Sequence, residues 1–147
     1  LDGNRFTMLT AVLEQHANVK LADQDIYVST VGGLKLTEPA VDLALCLAIL
    51  GAYNGLVLQK GVCAIGEVGL GGELRTVAQI EQRVAQAKRR GYKKILVPIT
   101  QVEIAGENSV GVASITELGS FYEKKKENFT SEPWLSDRKK REILKCT

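Results

Sequence analysis

The chain has 147 residues, 45% of them apolar and 24% charged, with a formal net charge of +2; that supports one domain with a single core, or a domain and a tail. No apolar run reaches the length of a membrane span, and residues 1–5 show nothing of a secretory signal, so a soluble chain with no membrane partner is expected. Three cysteines, two inside apolar runs (Cys46, Cys63) and one near the end (Cys146), indicate neither a disulfide framework nor a zinc site, and fit a reducing compartment.

In chain order, Phe6, Leu9 and Leu13, with Met8 and Val12 beside them, recur at helical spacing and predict an amphipathic helix over 4–17. His16 falls on it and reads as an ordinary helix histidine, not a metal ligand. Residues 25–31 are β-rich and stop at Gly32-Gly33, which predicts a strand and a turn. The most apolar stretch, 39–53, predicts a central buried helix opened by Pro39 and closed near Gly51 and Gly55.

Residues 62–65 and 73–77 flank the glycine-rich VGLGG and predict two strands of a hairpin-like unit. A second amphipathic helix over 78–90 presents Ile80, Val84 and Ala87 on one face, ends at Gly91, and leads into the apolar strand 94–98 as a strand-helix-strand crossover. A short strand at 110–113 and a final helix from Ser114 or Thr116 complete a body of residues 1–122. Alternating elements with short connections imply an α+β fold, an α/β sandwich of sheet and helices.

Residues 123–147 form a polar extension. Residues 122–147 hold eight Lys/Arg against five Asp/Glu, which leaves 11 against 12 in the first 121 residues. The body is neutral and the tail basic. A solvated extension accounts for that, and for the run of four cations at 138–141, as well as nucleic-acid attraction does. Asn128-Phe129-Thr130 matches a glycosylation triplet, which the cysteine usage argues against. The glycines at 66, 69, 71 and 72 follow neither the dinucleotide fingerprint nor the P-loop order, and read as tight turns.

Two blocks, DIYVSTVGGLKLTEPAVDLALCLAI and GEVGLGGELRTVAQIEQRVAQAKRRGYKKILVP, with the NRFTMLTAVLEQHA helix before them, resemble the C-terminal Lon-protease-like domain of the RadA (Sms) family of recombination and repair proteins. The resemblance runs from about Leu1 to Tyr122. It implies the Lon-protease-like fold of the ribosomal-protein domain-2-like type, with the first strand or two of that domain absent here. Lon proteases carry a serine in a Pro-Ser-Ala-Gly sequence and a lysine in a Gly-Gly-Leu-Lys sequence. Laid on this chain, those positions are Ala40 and Glu81.

A Ser-Lys dyad works because a desolvated, neutral lysine takes the hydroxyl proton as oxygen attacks an acyl carbon. Alanine offers no oxygen. The resemblance therefore implies a pseudoprotease with a noncatalytic role: a scaffold of a hexameric ring and a platform for double-stranded DNA during branch migration. ATP, Mg and Zn are expected only in upstream parts of the parent protein. Lys35 and Arg75, each just beyond a glycine pair, are the implied DNA-facing residues; Arg83, Lys88, Arg89 and Arg90, with Lys93 and Lys94, form a second basic group at the end of a helix, where the helix dipole also favours cations. Glu38, Asp42 and Glu81 lie near the ancestral site and have no assigned role beyond capping or ion pairing.

Two other functions compete. One is a divergent Lon-type serine peptidase using Thr37 or Ser29 with Lys35 as base; the other is a structural oligomerisation module without DNA contact. The expected location is the cytoplasm for a bacterial source, or a mitochondrion or plastid for a plant-like one.

Overall fold

The computed structural model describes residues 3–27, 29–30, 38–123 and 143–144. Lys35, Thr37, the 128–130 triplet and the basic run at 138–141 lie outside the described residues. Helix α1 (Gly3–His16) buries Leu9, Val12 and Leu13, the face its periodicity predicts. Asn18, at φ 57°, breaks the helix by turning left-handed, and the Glu14 carboxylate accepts the Leu21 N–H at 2.8 Å as the chain returns.

The expected strand at 25–31 is smaller in the structure. Only Ser29–Thr30 (β1) pairs, in parallel with Ile143–Leu144 (β7), while residues 25–27 are irregular. Pro39 opens a 3-10 turn, Pro39–Val41, that runs into helix α2 (Asp42–Asn54). Apart from Ala48 and the last turn, α2 is buried on all sides, as its unbroken apolar composition requires of a central helix. It ends in a Schellman motif: Leu56 N–H donates to Gly51 O at 2.8 Å, Gly55 N–H to Ala52 O at 3.3 Å, and Gly55 takes φ 65°.

A three-stranded parallel sheet follows, with β5 (Lys94–Pro98) between β2 (Val62–Ala64) and β6 (Ser109–Val112). Helix α3 (Ile80–Arg89) crosses from β2 to β5, and a short helix α4 (Val102–Ala105), which the sequence reading did not foresee, crosses from β5 to β6. The hairpin differs from expectation. Its arms are β3 (Glu67–Val68) and β4 (Leu74–Arg75), whereas 62–64 joins the parallel sheet. Every residue of β2 is buried, which suits a strand covered on both faces and not a hairpin arm. The final helix expected from Ser114 or Thr116 is Ile115–Phe121, of 3-10 type, with the Ser114 side chain capping Thr116 N–H at 3.2 Å.

Alternation along the central strand sorts the core into two clusters. Leu96 packs with Val62, Ala64, Val112 and the apolar sides of α1 and α2. Ile95 and Val97 pack with Cys63, Ile65, Ala105 and the face of α3 formed by Ile80, Val84 and Ala87. Burying each of the larger side chains contributes about 1.5–3 kcal/mol. The result is a mixed helix and sheet sandwich, the class the sequence implies. Among the described residues, no helix is long and apolar enough to cross a membrane.

Candidate functional site

The start of α2 is the seat that the Lon resemblance assigns to a nucleophile. Ala40 is 6% exposed and its methyl lies in the cluster with Ile65, Ile80 and Val97. The backbone around it is held by several hydrogen bonds. Gly66 N–H donates to Ala40 O at 2.9 Å and Gly66 O accepts Leu43 N–H at 3.1 Å, so the segment after β2 clasps the helix start. A Cβ at Gly66 would come within 2.8 Å of Leu74 Cδ1, so a larger residue there would require the Leu74 side chain to shift.

The N–H groups of a helix start are what would hold an anion. Here Val41 N–H bonds Glu38 O at 3.1 Å, Asp42 N–H bonds Pro39 O, and Leu43 N–H bonds Gly66 O. These donors are already used inside the chain. No hydroxyl occupies position 40, and Glu81, at the lysine position, is exposed on the first turn of α3. Counting back from Glu81 places the second glycine of the Gly-Gly-Leu-Lys sequence at Gln79. That residue adopts φ 59°, a left-handed conformation that favours glycine.

The carboxylates near the seat have structural partners. Glu38 pairs with Arg83, whose Nε also donates to Ala78 O at 2.8 Å, tying the turn before α2 to the start of α3. Asp42 is 1% exposed and holds Arg5 of α1 in a two-pronged pair, Nε to Oδ1 at 2.7 Å with Nη2 on Oδ2. Oδ2 also accepts Val68 N–H at 3.0 Å. The Asp42 hydrogen bond raises the Arg5 pKa against the opposing effect of burial. Asp42 therefore joins α1, α2 and β3. Among the described residues no three His, Cys, Asp or Glu side chains are grouped to hold a metal ion.

Of the proposed peptidase substitutes, Ser29 belongs to β1, while Thr37 and Lys35 fall outside the described residues. Arg75 lies on β4, exposed, and reaches Glu73 with Nη2–Oε1 at 3.3 Å. The Glu73 pKa is lowered, by its own backbone N–H first, then, after an opposing desolvation, by Arg75 and the Gly71 N–H. Arg83 is committed to Glu38, and Lys88 lies 4.0 Å from Glu107. Lys94 reaches Gln59 Oε1 at 3.3 Å and sits 6.0 Å over the Phe121 ring. Arg89, Arg90 and Lys93 are exposed without an ion pair among the described residues. Sequence reasoning passed over Lys60, which stands alone in its segment and gains basic neighbours only through folding.

Comparison with known proteins adds to this geometry. A family profile described as subunit ChlI of Mg-chelatase matches residues 6–101. The chain is 40% identical over 121 residues to the DNA repair protein RadA of Bacillus subtilis, covering 80% of this chain and 26% of that protein. Identity to the DNA repair protein RadA of Streptococcus pneumoniae is 43% over 122 residues, with 80% and 29% covered. For the Escherichia coli protein of that name it is 36% over 118 residues, with 80% and 26% covered. The chain thus spans about a quarter of the length of these curated relatives.

Proposed function

The chain belongs to the family described as subunit ChlI of Mg-chelatase and is homologous to bacterial RadA, and from that premise we propose that it is a noncatalytic, Lon-like domain of a RadA-type DNA repair and recombination protein. Its work is to hold subunits of a ring together and to bind double-stranded DNA during branch migration; ATP hydrolysis belongs to the rest of the parent protein. One observation carries the noncatalytic part. The position where an attacking oxygen is needed holds a methyl group buried among Ile65, Ile80 and Val97.

Chemistry supports the same reading from two other sides. Glu81 is exposed and carries a carboxylate, so the site lacks the desolvated amine that takes the hydroxyl proton in a Ser-Lys dyad. The helix-start N–H groups that might stabilise a tetrahedral oxyanion already bond to carbonyls of the chain. The DNA part rests on homology to proteins named for DNA repair, with Lys35 and Arg75 as the proposed contacts. Cations there would displace counterions from phosphate, so affinity falls steeply with salt.

The test combines three measurements on the purified chain. We expect no labelling by a fluorophosphonate probe and no casein cleavage, duplex DNA binding at low salt that Lys35→Ala/Arg75→Ala weakens, and a six-subunit mass by light scattering for the parent protein. Specific fluorophosphonate labelling at Ser29 or Thr37 overturns the noncatalytic reading. Absence of duplex binding by both chain and parent overturns the DNA role and leaves an oligomerisation module.

A further inference from the structure

The neutral body does not spread its cations evenly. Of the 11 Lys/Arg in residues 1–121, Arg5, Arg75, Arg83 and Lys88 each face a carboxylate. Lys60, Arg89, Arg90 and Lys93 are exposed and carry no ion pair among the described residues. They come from two separate stretches of chain, and the fold brings those stretches together. Lys93 and Lys94 both donate backbone N–H groups to Gly61 O, at 2.9 and 3.0 Å. A Cβ at Gly61 would lie 3.6 Å from Lys93 Cβ, so the residue after Lys60 abuts Lys93 directly. On the other side, Gly91 turns left-handed at φ 94°, with its N–H on Lys88 O and Tyr92 N–H on Ala87 O, and folds Lys93 back beside the end of α3.

We infer that this corner, Lys60, Arg89, Arg90 and Lys93, is a further sequence-independent contact surface for duplex DNA phosphates, in addition to the proposed contacts Lys35 and Arg75. The inference rests on the DNA-binding part of the proposed function. A helix C-terminus attracts cations by itself, which accounts for Arg89 and Arg90. It does not account for Lys60 and Lys93, which lie at the starts of β2 and β5, outside α3. Strand β2 leads from this corner at Gly61 toward Gly66, which clasps the Ala40 seat, a run of about 15 Å at roughly 3.3 Å per residue. Glu107, in the loop before β6, lies 4.0 Å from Lys88. Cations without an ion pair among the described residues, gathered at one end of the parallel sheet, suit a polyanion whose charges repeat along a line.

The experiment is duplex binding by fluorescence anisotropy, with a roughly 20-base-pair probe between about 50 and 200 mM salt. Lys60→Gln/Lys93→Gln and Arg89→Gln/Arg90→Gln are made separately and combined, with Lys60→Arg/Lys93→Arg as the charge-preserving control and thermal melts to verify folding. Each cation removed from a phosphate should reduce the slope of log K against log salt by about 0.9, and the fourfold variant should bind at least about tenfold more weakly at the lowest salt. The arginine control should bind like the parent sequence. An unchanged slope in the fourfold variant, with Lys35→Ala/Arg75→Ala still weakening binding, overturns this surface while leaving the proposed function standing. If the unaltered chain binds no duplex, both fall. Loss of poly-glutamate binding without loss of duplex binding assigns the corner to an acidic protein and overturns the inference.

Discussion

Asp42 is the only charged side chain buried among the described residues, and it sits in the most apolar helix of the chain. Removing a carboxylate from water is costly unless its oxygens are fully satisfied. Arg5 and the Val68 N–H satisfy them, so the group is tolerated only as part of a three-element junction. Asp42→Asn removes the buried partner and leaves the Arg5 guanidinium with only the more exposed Glu67, 3.6 Å away, as a counter-ion, and should lower stability by about 3 kcal/mol in denaturant unfolding. The double change Arg5→Met/Asp42→Leu should recover most of that. A loss for Asp42→Asn within the range of an exposed pair, under about 1 kcal/mol, would show that the junction carries little weight. The sequence makes Asp42 conspicuous, as a charge in an apolar run, but its partner is 37 residues away. Residue spacing holds no record of which helices pack together. The vacant nucleophile position is different: Ala40 is an ordinary alanine until the blocks around it are compared with a known family.

The β3–β4 hairpin shows what an element can conceal. Its arms are only two residues each, too short to leave a period, and the reading passed to the longer apolar run beside them. Helices α1 and α3 were legible because three to four turns of repeating apolar positions outlast any local ambiguity. The hairpin turn depends on Glu73, whose carboxylate accepts Gly71 N–H at 3.1 Å and pairs with Arg75. Gly69 has no room for a side chain because the Glu73 carboxylate occupies the space its Cβ would need. Since Glu73 is held below its unfolded value of 4.5, its contribution to stability is present above that pH and is lost as pH falls through the depressed folded value. Glu73→Gln should therefore melt like the unaltered chain below that window and at a lower temperature above it. Melting points that differ by the same amount from about pH 6 to about pH 3 would assign the turn's stability to hydrogen bonding that ignores charge.

At the scale of the whole molecule, the fold class was readable from alternating elements, whereas the grouping of surface charge was not. Composition reports a body with 11 cations and 12 anions, and only the folded arrangement separates those held in pairs from those left facing solvent. The same holds for the division of the interior, since β5 reads as one apolar run but serves two clusters, Ile95 and Val97 in one and Leu96 in the other. A five-residue ribbon is therefore a shared wall, and neither chamber can melt while the other stands. Opening should be all-or-none, with the amides of Ile95, Leu96 and Val97 exchanging with deuterium at a single, slowest rate set by global unfolding. Distinct rates for the two faces' neighbours, Val84 on one side and Leu45 on the other, would reveal two foldons divided by that wall.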